Sequence, residues 1–148
     1  MVNNKNINSE SINELMEAAK QVRKNAYAPY SCFLVGAALR GSDGQIYTGC
    51  NVENVSYGLS ICAERVAVFK AVSAGVTSFQ ALVLVTDQEE LVSPCGACRQ
   101  VLAEFSLEMP VFMVNFQEKI VQTTVEKLLP ASFVFRKSRE EKFNEERF

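Results

Sequence analysis

Three cysteines and one glutamate form two short motifs whose residue types can hold a metal and move protons. Cys62-Ala63-Glu64 places a carboxylate two residues after a thiol, and Pro94-Cys95-Gly96-Ala97-Cys98 places two thiols three residues apart. A C-x-x-C pair alone is ambiguous, because redox pairs and zinc sites share this spacing. The redox interpretation requires a thioredoxin-like context and a structural zinc site requires a fourth protein ligand, and the sequence supplies neither. Three cysteines without a fourth ligand fit a catalytic zinc site, whose fourth position holds water.

The chain contains no histidine, which excludes Ser-His, Cys-His and His-ligated metal mechanisms. Proton transfer must therefore rely on other groups, and Glu64 is a carboxylate beside the predicted metal, where a metal-assisted hydrolysis needs one. Three thiolates would leave a net charge of about −1 on a Zn²⁺ site, but helix N-termini favour thiolates. The neighbouring Arg65 would offset more of the excess charge. The other two cysteines, Cys32 and Cys50, are predicted to be small buried residues that do not bind metal.

Length and composition predict one globular domain over residues 1–148. A chain of 148 residues matches a single domain at about 150 residues per domain, and 48% apolar with 22% charged residues is typical of globular proteins. The net charge of −2 disfavours binding to nucleic acid or anionic membranes, and no apolar stretch is long enough to span a bilayer. An odd number of cysteines without an export signal predicts free thiols in a reducing compartment. We therefore expect a cytoplasmic protein with flexible tails at about 1–8 and 137–148.

Apolar periodicity predicts helices and strands that alternate around the cysteine motifs. A first helix is expected from Ser9 or Ser11 to about Ala26, ended by Pro29. The following elements are a hairpin of strands 33–39 and 45–50 around the turn 41–44, a helix over 62–74 covered on most faces, a buried strand 81–85, a helix 96–105, strands 111–114 and 120–123, and a short helix ending at Pro130. This order predicts a three-layer α/β/α domain with a central mixed β-sheet.

Five segments in one order resemble the small homotetrameric cytidine deaminases, the three-cysteine branch of the zinc-dependent nucleoside deaminases. The segments are YSCF with VGAAL at 30–33 and 35–39, GCNVEN at 49–54, ICAER at 61–65, SPCGACRQ at 93–100 and LLPASF at 128–133. The resemblance implies a cytidine deaminase-like fold and one zinc ion per chain. It also implies hydrolytic deamination of cytidine and deoxycytidine to uridine and deoxyuridine plus ammonia, as in pyrimidine salvage.

By this resemblance, zinc is bound by Cys62, Cys95 and Cys98. Glu64 carries protons from water to N3 of cytosine and then to the departing amino group. Such a role requires a carboxylate that is both base and acid near neutral pH.

Four further positions match residues that bind the nucleoside in this family. Asn51 and Glu53 match the pair that hydrogen-bonds the ribose hydroxyls, a task that suits an amide and a carboxylate. Phe33 matches the aromatic ring that packs on the pyrimidine, and the backbone of Ala63 would contact the edge of the base.

Two aromatic residues, Tyr57 and Phe133, match positions that a neighbouring subunit contributes to the pocket, which links activity to a homotetramer. The sequence departs from the family pattern at Leu34, where many relatives have proline, and in the charged segment beyond residue 135, which has no assigned role.

Several other functions compete with cytidine deamination. A blasticidin-type deaminase shares the cysteine motifs, but Phe33 with the motif at 51–54 favours ordinary nucleosides. A polynucleotide deaminase would need a basic groove, and a nucleotide deaminase would need basic residues in the loop 51–60, which contains no lysine or arginine. A zinc-stabilised binding module explains the cysteines but not Glu64. The relative preference for cytidine or deoxycytidine stays open.

Overall fold

Five strands form one mixed sheet with helices on both faces. The structure, a computed structural model, describes residues 7–134. Its elements are α1 (Ser9–Arg23), β1 (Val35–Gly41), β2 (Ile46–Cys50), a 3₁₀ turn (Tyr57–Leu59), α2 (Ala63–Ser73), β3 (Phe79–Thr86), α3 (Gly96–Phe105), β4 (Pro110–Val114), β5 (Ile120–Thr124) and α4 (Val125–Leu128). The predicted tails lie outside the described residues except for Ile7 and Asn8.

The strand order in the sheet is β2-β1-β3-β4-β5. Only β3 and β4 run parallel, with α3 connecting them, and the other three pairs are antiparallel. The predicted hairpin of β1 and β2 is confirmed. Gly44 in its turn has φ 81°, a left-handed conformation that glycine adopts without steric cost.

Each face of the sheet has its own apolar core, because successive residues of a strand point to opposite faces. On one face, α1 packs through Leu15, Met16 and Ala19 against alternate strand residues that include Val83, Val85 and Phe112. On the other face, Ala67 and Val68 of α2 and Leu102 of α3 pack against Leu82, Leu84 and Val111. The predicted three-layer α/β/α architecture with a mixed sheet is therefore confirmed.

The first helix ends at Arg23, three residues before the predicted end and well before Pro29. The next three backbone N–H groups, of residues 24–26, bond three residues back, which tightens and closes the helix. Tyr27 then pairs with the segment after β2, donating to the Asn51 carbonyl at 3.0 Å. At the other end Asn8 is the N-cap, and its side chain accepts from the N–H of Ser11 at 2.8 Å.

One face of α2 is left uncovered by the rest of residues 7–134, whereas its apolar composition predicts a helix covered on most faces. Phe69 is 50% exposed and Val72 is 38% exposed. The sheet and α3 cover only part of a helix whose apolar residues extend around its axis.

Among residues 7–134, none of the helices combines the length and apolar composition that a membrane span requires.

Candidate active site

The three predicted metal ligands meet at one point, where the N-termini of α2 and α3 converge. Cys62 is the N-cap of α2, Cys95 is the N-cap of α3, and Cys98 lies in the first turn of α3. The Sγ atom of Cys95 lies 3.7 Å from that of Cys62 and 3.5 Å from that of Cys98, and all three Sγ atoms are within 4.8 Å of one another. The prediction that these thiols come together is confirmed.

The local sequence explains why α2 begins beside the sheet. Gly49 in β2 has no side chain, and a Cβ atom there would lie 2.3 Å from the Ala63 carbonyl oxygen and 2.5 Å from the Ala67 nitrogen. The absence of a side chain at Gly49 therefore lets the first turn of α2 approach β2 closely. Neither Cys62 nor Cys95 uses its side chain to cap its helix, so both thiols remain available as ligands.

The charges around Cys62 favour its ionised form. A hydrogen bond from the Cys98 thiol, with smaller contributions from Arg65 and Cys95, lowers the pKa of the Cys62 thiol to about 5 against the opposing effect of burial. The same hydrogen bond and burial raise the pKa of Cys98. Arg65 Nη2 lies 3.6 Å from Cys62 Sγ, as the predicted charge-tuning role requires. Without metal the cluster therefore favours a thiolate at Cys62, and a divalent cation held by the three sulfurs would displace the remaining thiol protons.

The donor set fits zinc. Three soft thiolates within 4.8 Å of one another suit this ion, and Cys98 is fully buried while Cys95 is exposed. As far as residues 7–134 show, the site is therefore accessible on the side of Cys95, as a catalytic metal site must be to admit water and substrate.

Glu64 is the second residue of α2 and is only 4% exposed. Burial raises the pKa of its carboxyl to about 7, and the charge of Cys62 adds to the increase. In the metal-free chain this carboxyl can therefore both take up and release a proton near neutral pH. The carboxyl lies beside the thiol cluster, since the Cys98 thiol hydrogen-bonds to it and the charge of Cys62 acts on it.

Asn51 is buried, and its side-chain amide braces the segment that carries Phe33. Its Oδ1 accepts from the N–H of Val35 at 2.8 Å and its Nδ2 donates to the Phe33 carbonyl at 2.7 Å. The amide retains one N–H and one lone pair for a ligand. Sequence reasoning did not detect this bracing role, which depends on contacts between residues 16 and 18 positions apart.

Glu53 lines an open cavity of about 290 Å³ together with Tyr30, Ser31, Tyr57 and Ser60. Its Oε2 accepts from the N–H groups of Tyr30 and Ser31 at 2.9 and 3.2 Å, and the Ser31 hydroxyl donates to its Oε1. The Ser31 hydroxyl is the main cause that lowers the pKa of Glu53. Sequence reasoning did not single out Ser31, although it lies in one of the segments that carry the resemblance.

The remaining predicted residues divide by burial. Ala63 is fully buried at the start of α2, and Phe33 packs partly buried against the core on the α2 side, just before β1 rather than within it. Tyr57 and Phe133 are 75% and 74% exposed. Within residues 7–134 both rings are therefore largely exposed, and the ring of Tyr57 makes an edge contact with that of Tyr30, with centroids 5.9 Å apart.

The prediction that Cys32 is buried is wrong. Cys32 is exposed, on the turn before β1, with φ 55° and its N–H bonded to the Ala28 carbonyl. The tight turn directs it away from the core that begins at Phe33. Cys50 is partly buried at the end of β2.

Comparisons with known proteins agree with this geometry. The family described as the cytidine and deoxycytidylate deaminase zinc-binding region matches residues 9–114. A cytidine deaminase of Sporosarcina psychrophila is 56% identical over 123 residues, covering 82% of this chain and 90% of that protein. A cytidine deaminase of Halalkalibacterium halodurans is 49% identical over 120 residues, and the match covers 80% of this chain and 91% of that protein.

A solved structure with the same fold is the crystal structure of cytidine deaminase from Burkholderia pseudomallei. It has 48% sequence identity and a TM-score of 0.79, covering 82% of this chain and 98% of that one. The match at residues 9–114 includes all three clustered cysteines and Glu64. The chain therefore belongs to the zinc-binding cytidine and deoxycytidylate deaminase family.

Proposed function

We propose that this chain catalyses the hydrolytic deamination of cytidine and deoxycytidine to uridine and deoxyuridine, with release of ammonia. The observation that carries the proposal is the buried carboxyl of Glu64, which lies two residues from Cys62 in a cluster of three thiols within 4.8 Å of one another. A binding module with structural zinc has no need of a buried carboxyl beside an open metal site. A hydrolase that replaces an amino group by water needs both.

Glu64 carries the protons in this proposal. A zinc ion held by Cys62, Cys95 and Cys98 would supply the Lewis acidity that makes water nucleophilic at neutral pH. The carboxylate accepts a proton from the water whose oxygen bonds to C4 of cytosine, and donates it to ring N3. The carboxylate then takes the second proton of the water, which is now on the oxygen at C4, and passes it to the amino group. The C4–N bond breaks and ammonia leaves. The overall balance is cytidine plus water to uridine plus ammonia.

The nucleoside would be held by Phe33, Asn51, Glu53 and the backbone of Ala63. Phe33 offers an apolar ring for the pyrimidine, and the free hydrogen-bonding capacity of Asn51 and Glu53 suits ribose hydroxyls. Glu53 accepts hydrogen bonds from two N–H groups and one hydroxyl, and these bonds favour its ionised form. The ionised carboxylate can accept a further hydrogen bond from a sugar hydroxyl.

A homotetramer with shared active sites is part of the proposal. Tyr57 and Phe133 are exposed aromatic residues that could reach a neighbouring subunit, and the uncovered face of α2 with Phe69 and Val72 is an apolar surface that such a neighbour could cover. A cytoplasmic location, where thiols stay reduced, and a role in pyrimidine salvage complete the proposal.

The test is to incubate purified protein with cytidine and to measure uridine and ammonia together. We expect equal amounts of both products, loss of turnover after chelation, and recovery on adding zinc. A parallel incubation with deoxycytidine measures the relative preference, and further incubations with cytidine monophosphate and blasticidin S test the competing deaminase functions. A folded protein with one zinc per chain that converts neither nucleoside would contradict the proposal.

A further inference from the structure

Arg99 makes three side-chain hydrogen bonds around the loop that leads to Cys95. Its Nε donates to the Pro94 carbonyl at 2.7 Å, its Nη2 to the Ser93 hydroxyl at 2.8 Å, and its Nη1 to the Leu128 carbonyl at 2.7 Å. The backbone N–H of Arg99 donates to the Cys95 carbonyl at 3.0 Å. This one residue therefore holds the peptide groups on both sides of Cys95.

Cys95 needs such a restraint more than Cys98 does. Cys98 is buried in the first turn of α3, where its backbone is already helical. Cys95 is exposed and stands at the end of the segment 87–95, which has no helix or strand. The position of its Sγ atom relative to those of Cys62 and Cys98 therefore depends on how the loop backbone is held.

The bond to Leu128 extends this link to α4 and the segment that follows it. Gln100, the next residue of α3, donates from Nε2 to the Phe133 carbonyl at 3.0 Å. Adjacent residues of α3 therefore hold both ends of the segment 128–133, which carries one of the exposed aromatic residues.

We propose that Arg99 is a positioning residue for the metal site. Its guanidinium holds residues 93–95 against α4 and keeps the Cys95 thiol within reach of the ion, acting through backbone and serine oxygens. Arginine is required because its planar fork presents five N–H donors in fixed directions, whereas lysine has a single ammonium group. The inference rests on the proposed function of the three cysteines as zinc ligands.

The test compares Arg99→Lys, Arg99→Met and Ser93→Ala with the parent protein. Arg40→Met is the control, because the Arg40 guanidinium also bonds to a carbonyl and a serine, Gly44 and Ser11, at the α1 side of the sheet, where it forms an ion pair with Glu14 in addition. The zinc dissociation constant is measured by competition with a chromophoric chelator. The absorption bands of the cobalt-loaded proteins report the geometry of the thiolate site.

We expect Arg99→Met and Arg99→Lys to weaken zinc binding by about 10- to 100-fold and to change the cobalt bands. Ser93→Ala should produce a smaller change in the same direction, since it removes one of the three bonds. Arg40→Met should lower stability and leave zinc affinity and the cobalt bands unchanged. Because Arg99→Lys keeps the positive charge, an effect equal to that of Arg99→Met identifies geometry as the cause.

The proposal is overturned if Arg99→Lys binds zinc as tightly as the parent, or if the Arg99 variants differ from the parent only in stability, as Arg40→Met does. If Arg99→Met does not fold, the zinc dissociation constants and cobalt bands of Arg99→Lys and Ser93→Ala test the proposal by the same criteria. A parent protein that binds no zinc contradicts the proposed function itself. Parent-like binding by the variants contradicts only the role of Arg99.

Discussion

The thiols of Cys62 and Cys95 lie 3.7 Å apart although the residues are 33 positions apart in the sequence. Each is the N-cap of a helix, and α2 and α3 pack on the same face of the sheet. The thiols therefore meet where the N-termini of two helices converge. The fold thus brings Cys62 to Cys95, whereas the local C-x-x-C spacing places Cys98 beside Cys95.

Zinc should protect the thiols of the cluster from alkylation. In the metal-free chain the pKa of Cys62 is about 5, so its thiolate is available at neutral pH, and Cys95 is exposed. We expect chelation to increase iodoacetamide labelling of both residues, measured by peptide mass spectrometry. Cys32→Ser is the background variant, because Cys32 is exposed outside the cluster. Equal labelling with and without chelator would show that these thiols do not hold a metal.

Asn51→Ala should reduce both stability and substrate binding. The substitution leaves the Val35 N–H and the Phe33 carbonyl without their buried partner, which costs about 1–3 kcal/mol in the free energy of unfolding. The measurement is urea unfolding together with KM for cytidine. Asn54→Ala is the control: it removes one exposed hydrogen bond of the same loop, from the Ser56 N–H at 2.8 Å, and should therefore cost less than Asn51→Ala. An Asn51 variant as stable as the Asn54 variant would contradict the bracing role.

Ser31→Ala should move the acid limb of the pH profile of kcat/KM to higher pH. The Ser31 hydroxyl is the main cause of the lowered pKa of Glu53, so its removal raises that pKa towards the ordinary value. Glu53 then becomes protonated, and accepts hydrogen bonds from ribose more weakly, at a higher pH than in the parent. Ser73→Ala on α2 serves as the control. If Ser31→Ala leaves the acid limb unchanged, protonation of Glu53 does not control substrate binding.

Phe69→Glu should prevent assembly without unfolding the chain. Phe69 is half exposed on the uncovered face of α2, so a charge there costs little in one chain and much in an apolar interface. We expect a lower mass by light scattering and reduced turnover, since Tyr57 and Phe133 would lose their neighbour. Phe116→Glu, at an exposed phenylalanine after β4, is the matched control. A Phe69 variant of unchanged mass would show that this face is not an interface.

The sequence predicts the alternation of elements and the cysteine cluster, because periodicity and helix starts are local signals. It places α3 at the observed bounds and brings Cys62 and Cys95 to helix N-termini. The end of α1, the exposure of Cys32 and the bonds of Asn51 depend instead on contacts between distant segments. The exposed side of α2 could not be predicted for a related reason. Composition shows that a helix is apolar, but it does not show which partner covers each face.

The most direct test of the central claim compares Glu64→Gln with the parent at matched zinc content. The glutamine side chain has nearly the same shape as that of Glu64 but cannot carry a proton, so turnover of cytidine to uridine should fall by at least about 100-fold. Zinc stoichiometry and urea unfolding should remain close to those of the parent. A Glu64→Gln protein that holds zinc and converts cytidine near the parent rate would contradict the assignment of Glu64 as the proton carrier.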